Sequence, residues 1–562
     1  MKKFFNHLRL FLFFSALVML LVSCSNSVVL ESPIEDTTLE EESPIEDTTL
    51  EEESPIEDTT LEEESPIEDA ALEEPSYTLN ITQQPAYTVV SYNQSATLSC
   101  KAESECQPVS YQWYKCDDMS GSNAELISGA TSNSYETPVF TEKEIRYYYC
   151  VSKINSEEKL SAVAAVAYTG LPLVKIETPE SAEISSKEDW LKDATLSIEG
   201  AELDSWNISE PIMTSIRGRG NSTWVQPKKP YALKLDKKKS ILGMPEHKRW
   251  VLIANYLDNS FIRNEMAFYL SEIFELDYTV HGKYVDLILN GEYKGLYWFG
   301  EAIKPDANRV NINDGSKNIS DDEDKDYLIE MDVYYDEPVK FKSSIRNLPY
   351  MIKNDDYMVD DENNLTSGGE SRLERLQANI NALERLLYPD FAEGMSTNDC
   401  PAPDVSFSQI IDIDSWAKFW FVNEIMDNGE LGHPKSCYFT FDSENNIFKA
   451  GPVWDFDWAA LFQPAYCSLK DTLYYNALFK SPEFVNRVKE LWNQYYGRIH
   501  IVSKVESLRD ELKFSAELDC YIWGINHNPL GMVCNDFNEH INYVRNALST
   551  KLDVVNADIT EM

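Results

Sequence analysis

Positive charge is what this chain has least of. Its 562 residues carry 49 Lys and Arg against 95 Asp and Glu, a formal charge of −46. No basic field exists to neutralise a phosphate backbone, so nucleic acid is excluded as a general partner. Histidine is scarce at seven, and neither His-x-x-His nor Cys-x-x-Cys spacing occurs, so no zinc site is readable. Gly-x-Ser-x-Gly is missing, which removes the serine-hydrolase elbow. Long apolar runs are confined to the start of the chain. After Lys2, Lys3 and Arg9, the run Leu10–Leu21 is interrupted only by Ser15. It is short for a membrane span and suits an export signal.

The signal ends in Leu21-Val22-Ser23-Cys24, which resembles a bacterial lipobox. That resemblance implies a signal peptide over residues 1–23 and a lipid on Cys24, and so attachment to a membrane on its periplasmic face or at the cell surface. An ordinary secretory signal with an incidental cysteine is the alternative. Nine cysteines remain after Cys24, an odd number, so at least one thiol stays free or pairs between chains. Residues 24–76 repeat Ser-Pro-Ile-Glu-Asp-Thr-Thr-Leu-Glu-Glu-Glu from Ser32, Ser43, Ser54 and, imperfectly, Ser65, with 20 acidic side chains and no Lys or Arg. Proline in each unit stops a continuous helix and like charges repel, so a disordered acidic linker is expected. Residues 77–170 alternate short β-rich runs with turns. Cys100, Trp113 and Cys150 resemble an immunoglobulin-like (Ig-like) sandwich in order and spacing, which implies a Cys100–Cys150 disulfide under Trp113. Cys106 and Cys116 offer a second bridge.

Residues 172–562 read as one α+β domain. Strands are expected at Tyr231–Leu235, Trp250–Ala254, Tyr284–Leu289, Tyr293–Glu301, Tyr327–Asp332 and Cys437–Phe441, and helices at Ile262–Glu272, Ile413–Ile425, Val502–Leu512 and Phe537–Leu552. Asn290-Gly291 marks a hairpin turn. Two stretches carry chemistry. Gly451–Trp458 reads as an apolar strand ending in Asp455 and Asp457, which alternation would place on one face as a hard-cation site. Arg217-Gly218-Arg219-Gly220 is a basic glycine loop whose bare backbone can approach phosphate, although the glycine pair alone fits a hairpin turn better. Lys234 follows on an apolar strand, where an inward amine needs an anion; an edge lysine in water, with Lys228 or Lys229 on the phosphate, is the alternative. Together these parts suit metal-assisted phosphoryl transfer.

The set Arg217–Trp224, Lys228–Lys234, Leu257–Asn264, Asn290–Glu301 and Trp454–Asp457, in this order, resembles the spore coat protein H (CotH) family of atypical protein kinases. The resemblance implies a bilobal kinase-like fold, ATP, Mg²⁺ or Mn²⁺, and phosphorylation of a surface or secreted protein. It implies that Arg217, Gly218, Arg219, Gly220 and Lys234 hold phosphates, that Glu265 pairs with Lys234, and that Glu301 lies at the adenine hinge. Asp427 would be the catalytic base and Asp455 and Asp457 the metal ligands. The alternative to the Glu265 pairing is a structural Asp258–Arg263 pair that orients this segment. Glu424, Asn428 and Glu430 rival Asp427, and Ser436 stands where many relatives carry a metal-binding Asn. Two further functions stay open: a non-catalytic surface adhesin or scaffold on a degenerate kinase-like domain, and nucleotidyl transfer by the same fold.

Overall fold

A computed structural model describes residues 78–104, 108–155, 157–313, 325–360, 362–389, 406–529 and 531–562. The signal segment, Cys24, the acidic repeats and Cys106 lie outside them. No described helix is long and apolar enough to cross a membrane.

The first described residues are all β: β1 (Leu79–Gln83), β2 (Thr88–Val89), β3 (Thr97–Ser99), β4 (Lys101–Ser104), β5 (Ser110–Cys116), β6 (Glu125–Leu126), β7 (Ser134–Glu136), β8 (Glu144–Ile154), β9 (Glu157–Leu160) and β10 (Ala164–Tyr168). The main sheet runs β2-β10-β8-β5-β6, with β9 on β8, beside the pairs β1-β4 and β3-β7. Leu98 and Cys100 share one buried cluster with Trp113, Tyr148, Cys150 and Val166, and Trp113 faces Cys150 across the ladder. The cysteine placement is thus as read, but the expected bridge is not formed: Cys100 and Cys150 are both thiols.

A seven-stranded closed barrel follows: β11 (Leu173–Glu177), β12 (Leu191–Glu199), β13 (Ile208–Gly218), β14 (Tyr231–Ile241), β15 (Met244–Ile253), β16 (Gly282–Leu289) and β17 (Glu292–Glu301). Its order is β11-β12-β13-β14-β15-β17-β16, with β16 closing in parallel on β11. Alternation fills the interior: Ile216, Leu233, Leu235, Trp250, Leu252 and Phe299 are buried together, and their neighbours in sequence point out. The β16–β17 turn is Asn290-Gly291, with φ of +52° and +76°, matching the right-handed strand twist.

Beyond the barrel, β18 (Tyr327–Met331), β19 (Lys340–Lys342), β20 (Pro349–Ile352), β21 (Cys437–Asp442) and β22 (Ile447–Ala450) form a sheet ordered β19-β20-β18-β21-β22. The longer helices packed with barrel and sheet are α1 (Arg263–Ile273), α2 (Ser367–Leu387), α3 (Ile413–Ile425), α4 (Pro482–Tyr495), α5 (Ile501–Trp523) and α6 (Phe537–Glu561). The Asp258–Arg263 pair is present, with fully buried Asp258 also accepting the Arg263 backbone N–H at 2.9 Å, which caps the start of α1. Helix α5 runs well past the expected Leu512 because Ala516, Leu518 and Asp519 are buried against other elements. It also joins the two β regions: Tyr147 donates to Glu517 at 3.0 Å, and Leu518 packs with Val89, Ala165 and Tyr293.

Candidate active site

A cavity of about 650 Å³ opens between the barrel and the five-stranded sheet. That is a volume suited to a small-molecule ligand. Strand β13 delivers its upper wall. Gly218 ends the strand against Trp224, whose ring lies 2.4 Å from where a Cβ would sit, and Gly220 turns the chain at φ +79°. Arg217, Gly218, Arg219 and Gly220 all line the cavity. The Arg219 guanidinium stacks over Trp454, 5.4 Å from the ring centroid, and faces Asp455 and Asp457.

The opposite wall is acidic. Asp455 and Asp457 line it, as read, but not on a strand. Regular structure stops at Ala450, and Asp455 has φ +67°, so strand alternation does not aim these side chains. The corner is fixed instead by the Phe456 N–H, which donates to Asn264 on α1 at 2.8 Å, and by the Ser436 hydroxyl, which donates to Asp455 at 3.2 Å. Ser436 therefore orients a carboxylate at this corner. Asp457 is 4% exposed and its Oδ1 has no hydrogen-bond partner. Burial, with Asp455 beside it, pushes the Asp457 carboxyl well up.

Glu430 completes this wall. It is 3% exposed, its Oε2 has no partner, and burial next to Asp455 raises its carboxyl to about 9. Glu330 and Asp332, at the end of β18, join from the adjacent strand. Burial lifts Asp332 to about 6. Lys353 pairs with Glu330 at 2.8 Å. Glu330 and Asp332 were missed, yet they carry the same signal as Asp455 and Asp457: two carboxylates one residue apart at the end of an apolar run. Lys353 and Lys435 gave no such signal.

Four sequence expectations do not fit this geometry. Lys234 is exposed on the outer face of β14, because Leu233 and Leu235 take the interior, and it does not line the cavity. Its alternatives are also occupied: Lys228 donates to the Leu296 carbonyl at 2.6 Å and to Asp519, and Lys229 to the Trp224 carbonyl at 2.8 Å. Glu265 bonds Lys504 at 3.0 Å and Trp298 at 3.2 Å, away from Lys234. Glu301 is fully buried, holding Tyr278, His281 and Arg309 rather than facing the cavity. Asp427 is 4% exposed behind the wall, where Lys551 bridges it at 2.9 Å and Glu424 at 2.8 Å. A buried amine shared by two carboxylates is structural, and removing one partner of such a pair costs about 3–5 kcal/mol. Lys551→Met is accordingly expected to lower the urea midpoint strongly, whereas Asp427→Asn should weaken the fold and leave catalysis within tenfold once folded. Loss of activity in Asp427→Asn at unchanged stability would reverse that assignment.

The residues present fit a divalent ion. Unbonded buried carboxylate oxygens on Asp457 and Glu430 are costly unless something compensates them. No ready-made cage of three His, Cys, Asp or Glu side chains occurs among the described residues. Mg²⁺ does not require one, since it keeps waters and uses one or two carboxylates with substrate phosphate oxygens.

A barrel carrying a glycine loop, set over a sheet-and-helix base with carboxylates at the cleft, makes this an α+β domain. A family model described as CotH kinase protein matches residues 216–555, more than half of the chain, and the chain belongs to that family. No curated protein matches it. Family membership implies ATP and a divalent metal.

Proposed function

We propose that this protein is an extracytoplasmic, lipid-anchored kinase that moves the γ-phosphoryl group of ATP to a hydroxyl of a surface or secreted protein. One observation supports this most: Asp455, Asp457 and Glu430 meet Arg219 and the Gly218–Gly220 loop in a single cavity, and two of the three carboxylates keep unbonded oxygens. Bound ATP with its metal supplies the transferable phosphoryl group. Asp455 and Asp457 would hold the ion, and the glycine loop with Arg219 the phosphates. Glu430, its own proton displaced when the ion binds beside it, would accept the proton of the attacking hydroxyl as its oxygen bonds to the γ-phosphorus and ADP departs. The N-terminal sequence through Cys24 supports export and lipid anchoring, and the Trp113–Cys150 pairing supports an Ig-like spacer over residues 77–170.

Incubating the full chain with Mg²⁺ and ATP labelled at either the γ- or the α-phosphate tests the reading. Label should reach protein from the γ position only. Transfer from the α position would establish nucleotidyl transfer. Absence of both transfer and Mg²⁺-dependent nucleotide binding would leave a scaffold.

A further inference from the structure

On a chain with a charge of −46, one strip of cations forms no salt bridge among the described residues. It starts at the cavity with Arg217 and continues along the outer face of the barrel. Cross-strand register sets its geometry: Arg217, Ala232 and Val251 form one row over β13, β14 and β15, and Ser215, Lys234 and Arg249 form the next row on the same face. The rows are two residues apart, about 7 Å. Arg217 and Arg249 both stack on Trp190, at 4.7 and 4.9 Å from its ring centroid. The Nε of Arg217 is buried without a partner, and its Nη1 reaches only a backbone carbonyl, that of Glu188. Lys304, just past β17, lies near enough to Arg249 to feel its charge; Asp356 acts on both and Glu337 on Lys304, without closing to an ion pair. No described carboxylate forms an ion pair with Arg217, Lys234, Arg249 or Lys304.

Like charges gathered on one face cost energy unless an anion covers them. The nucleotide cannot cover this strip: its phosphates belong at Arg219 and the glycine loop, beside the carboxylates, whereas Lys234 and Arg249 lie outside the cavity. What passes the cavity mouth is the acceptor. We propose that the acceptor is an acidic peptide segment bearing Ser or Thr, docked in extended form along Arg217, Lys234, Arg249 and Lys304. Two residues of an extended peptide span the distance between the rows, so acidic side chains two or more positions from the hydroxyl would meet successive cations. This inference rests on the kinase reading. The chain's own repeat, Ser-Pro-Ile-Glu-Asp-Thr-Thr-Leu-Glu-Glu-Glu, has the required composition and serves as the probe.

The test gives the full-length protein two labelled peptides, the repeat sequence and the same sequence with Gln and Asn for Glu and Asp. Binding is read by fluorescence anisotropy without ATP, transfer with ATP and Mg²⁺, and nucleotide binding separately. The acidic peptide should bind at least about tenfold tighter than the neutral one, equivalent to about 1.4 kcal/mol, and lose that advantage at high salt. The double substitution Lys234→Glu with Arg249→Glu should remove the preference and raise the acidic peptide's KM about tenfold, with the KM for ATP unchanged. Equal binding of both peptides, or a double variant that keeps the preference, overturns the proposal. If ATP binds and the acidic peptide does not, the docking inference fails and the kinase reading stands. If the peptide binds by charge and ATP does not, the kinase reading fails instead.

Discussion

Asp457→Asn is expected to lower phosphoryl transfer about 10³-fold, the scale of losing several kcal/mol of metal-borne charge stabilisation, without lowering the melting temperature. The two readouts move apart for a physical reason. Asp457 is 4% exposed, and its Oδ1 bonds nothing in the fold. Asparagine keeps the shape, removes a carboxyl that is costly to ionise there and gives up no hydrogen bond at that oxygen. Burying a neutral amide is cheaper than burying an unpaired carboxylate, so the apo protein should be as stable or more so. Asp455→Asn should lose activity similarly, but with some destabilisation, because Asp455 accepts the Ser436 hydroxyl. Asp427→Asn gives the opposite pattern, lower stability with retained chemistry, because its carboxylate is matched to Lys551. Labelled transfer and thermal melts on the three variants decide the matter. Asp457→Asn within tenfold of wild type would remove the 455–457 corner from the mechanism.

The pH dependence of the metal-free protein should run against the usual acid-denaturation trend. Glu430 rises from an ordinary 4.5 to about 9 through burial and the nearby Asp455 charge. Between those two values the folded state holds a proton that the unfolded chain has released. Stability therefore falls as pH rises through this window, and for this group is flat below 4.5 and above 9. In EDTA the melting temperature should drop between pH 6 and pH 9 by on the order of 5 °C for Glu430, and Glu430→Gln should flatten much of that slope. A divalent ion reverses the trend, because it binds the carboxylates only after displacing their protons. The Mn²⁺ dissociation constant should fall about tenfold per pH unit for each proton displaced, up to about pH 9. Calorimetry in two buffers of different ionisation enthalpy counts the protons released. Affinity independent of pH, with no proton release, would show that these carboxylates are not the ligands.

Much of the fold was legible because it follows from local pattern. Leu233 and Leu235 alternate with Lys234 and Asp236 along a strand, Asn290-Gly291 demands a turn of fixed hand, and helix Ile413–Ile425 is bounded as its apolar spacing indicates. The α+β class, the glycine loop, the acidic corner and the Asp258–Arg263 pair come from such signals. Several side chains were misassigned because linear distance does not say which way a side chain faces or what meets it. Lys234 sits at a plausible interval after Gly220, but the barrel's pleat turns it outward. Asp427 sits at a plausible interval before Asp455, but Lys551, 124 residues later, claims it from α6.

The sequence by itself determined the parts: which segments are strands and helices, where the backbone must be bare, and that paired carboxylates end an apolar run. Only the tertiary structure decided which charges are compensated and which are left over. A buried carboxylate is structural when a distant amine reaches it, as at Asp427, and available for an ion when nothing does, as at Asp457 and Glu430. That distinction depends on burial and on partners brought from remote parts of the chain, and the free energy of a charge is set by both.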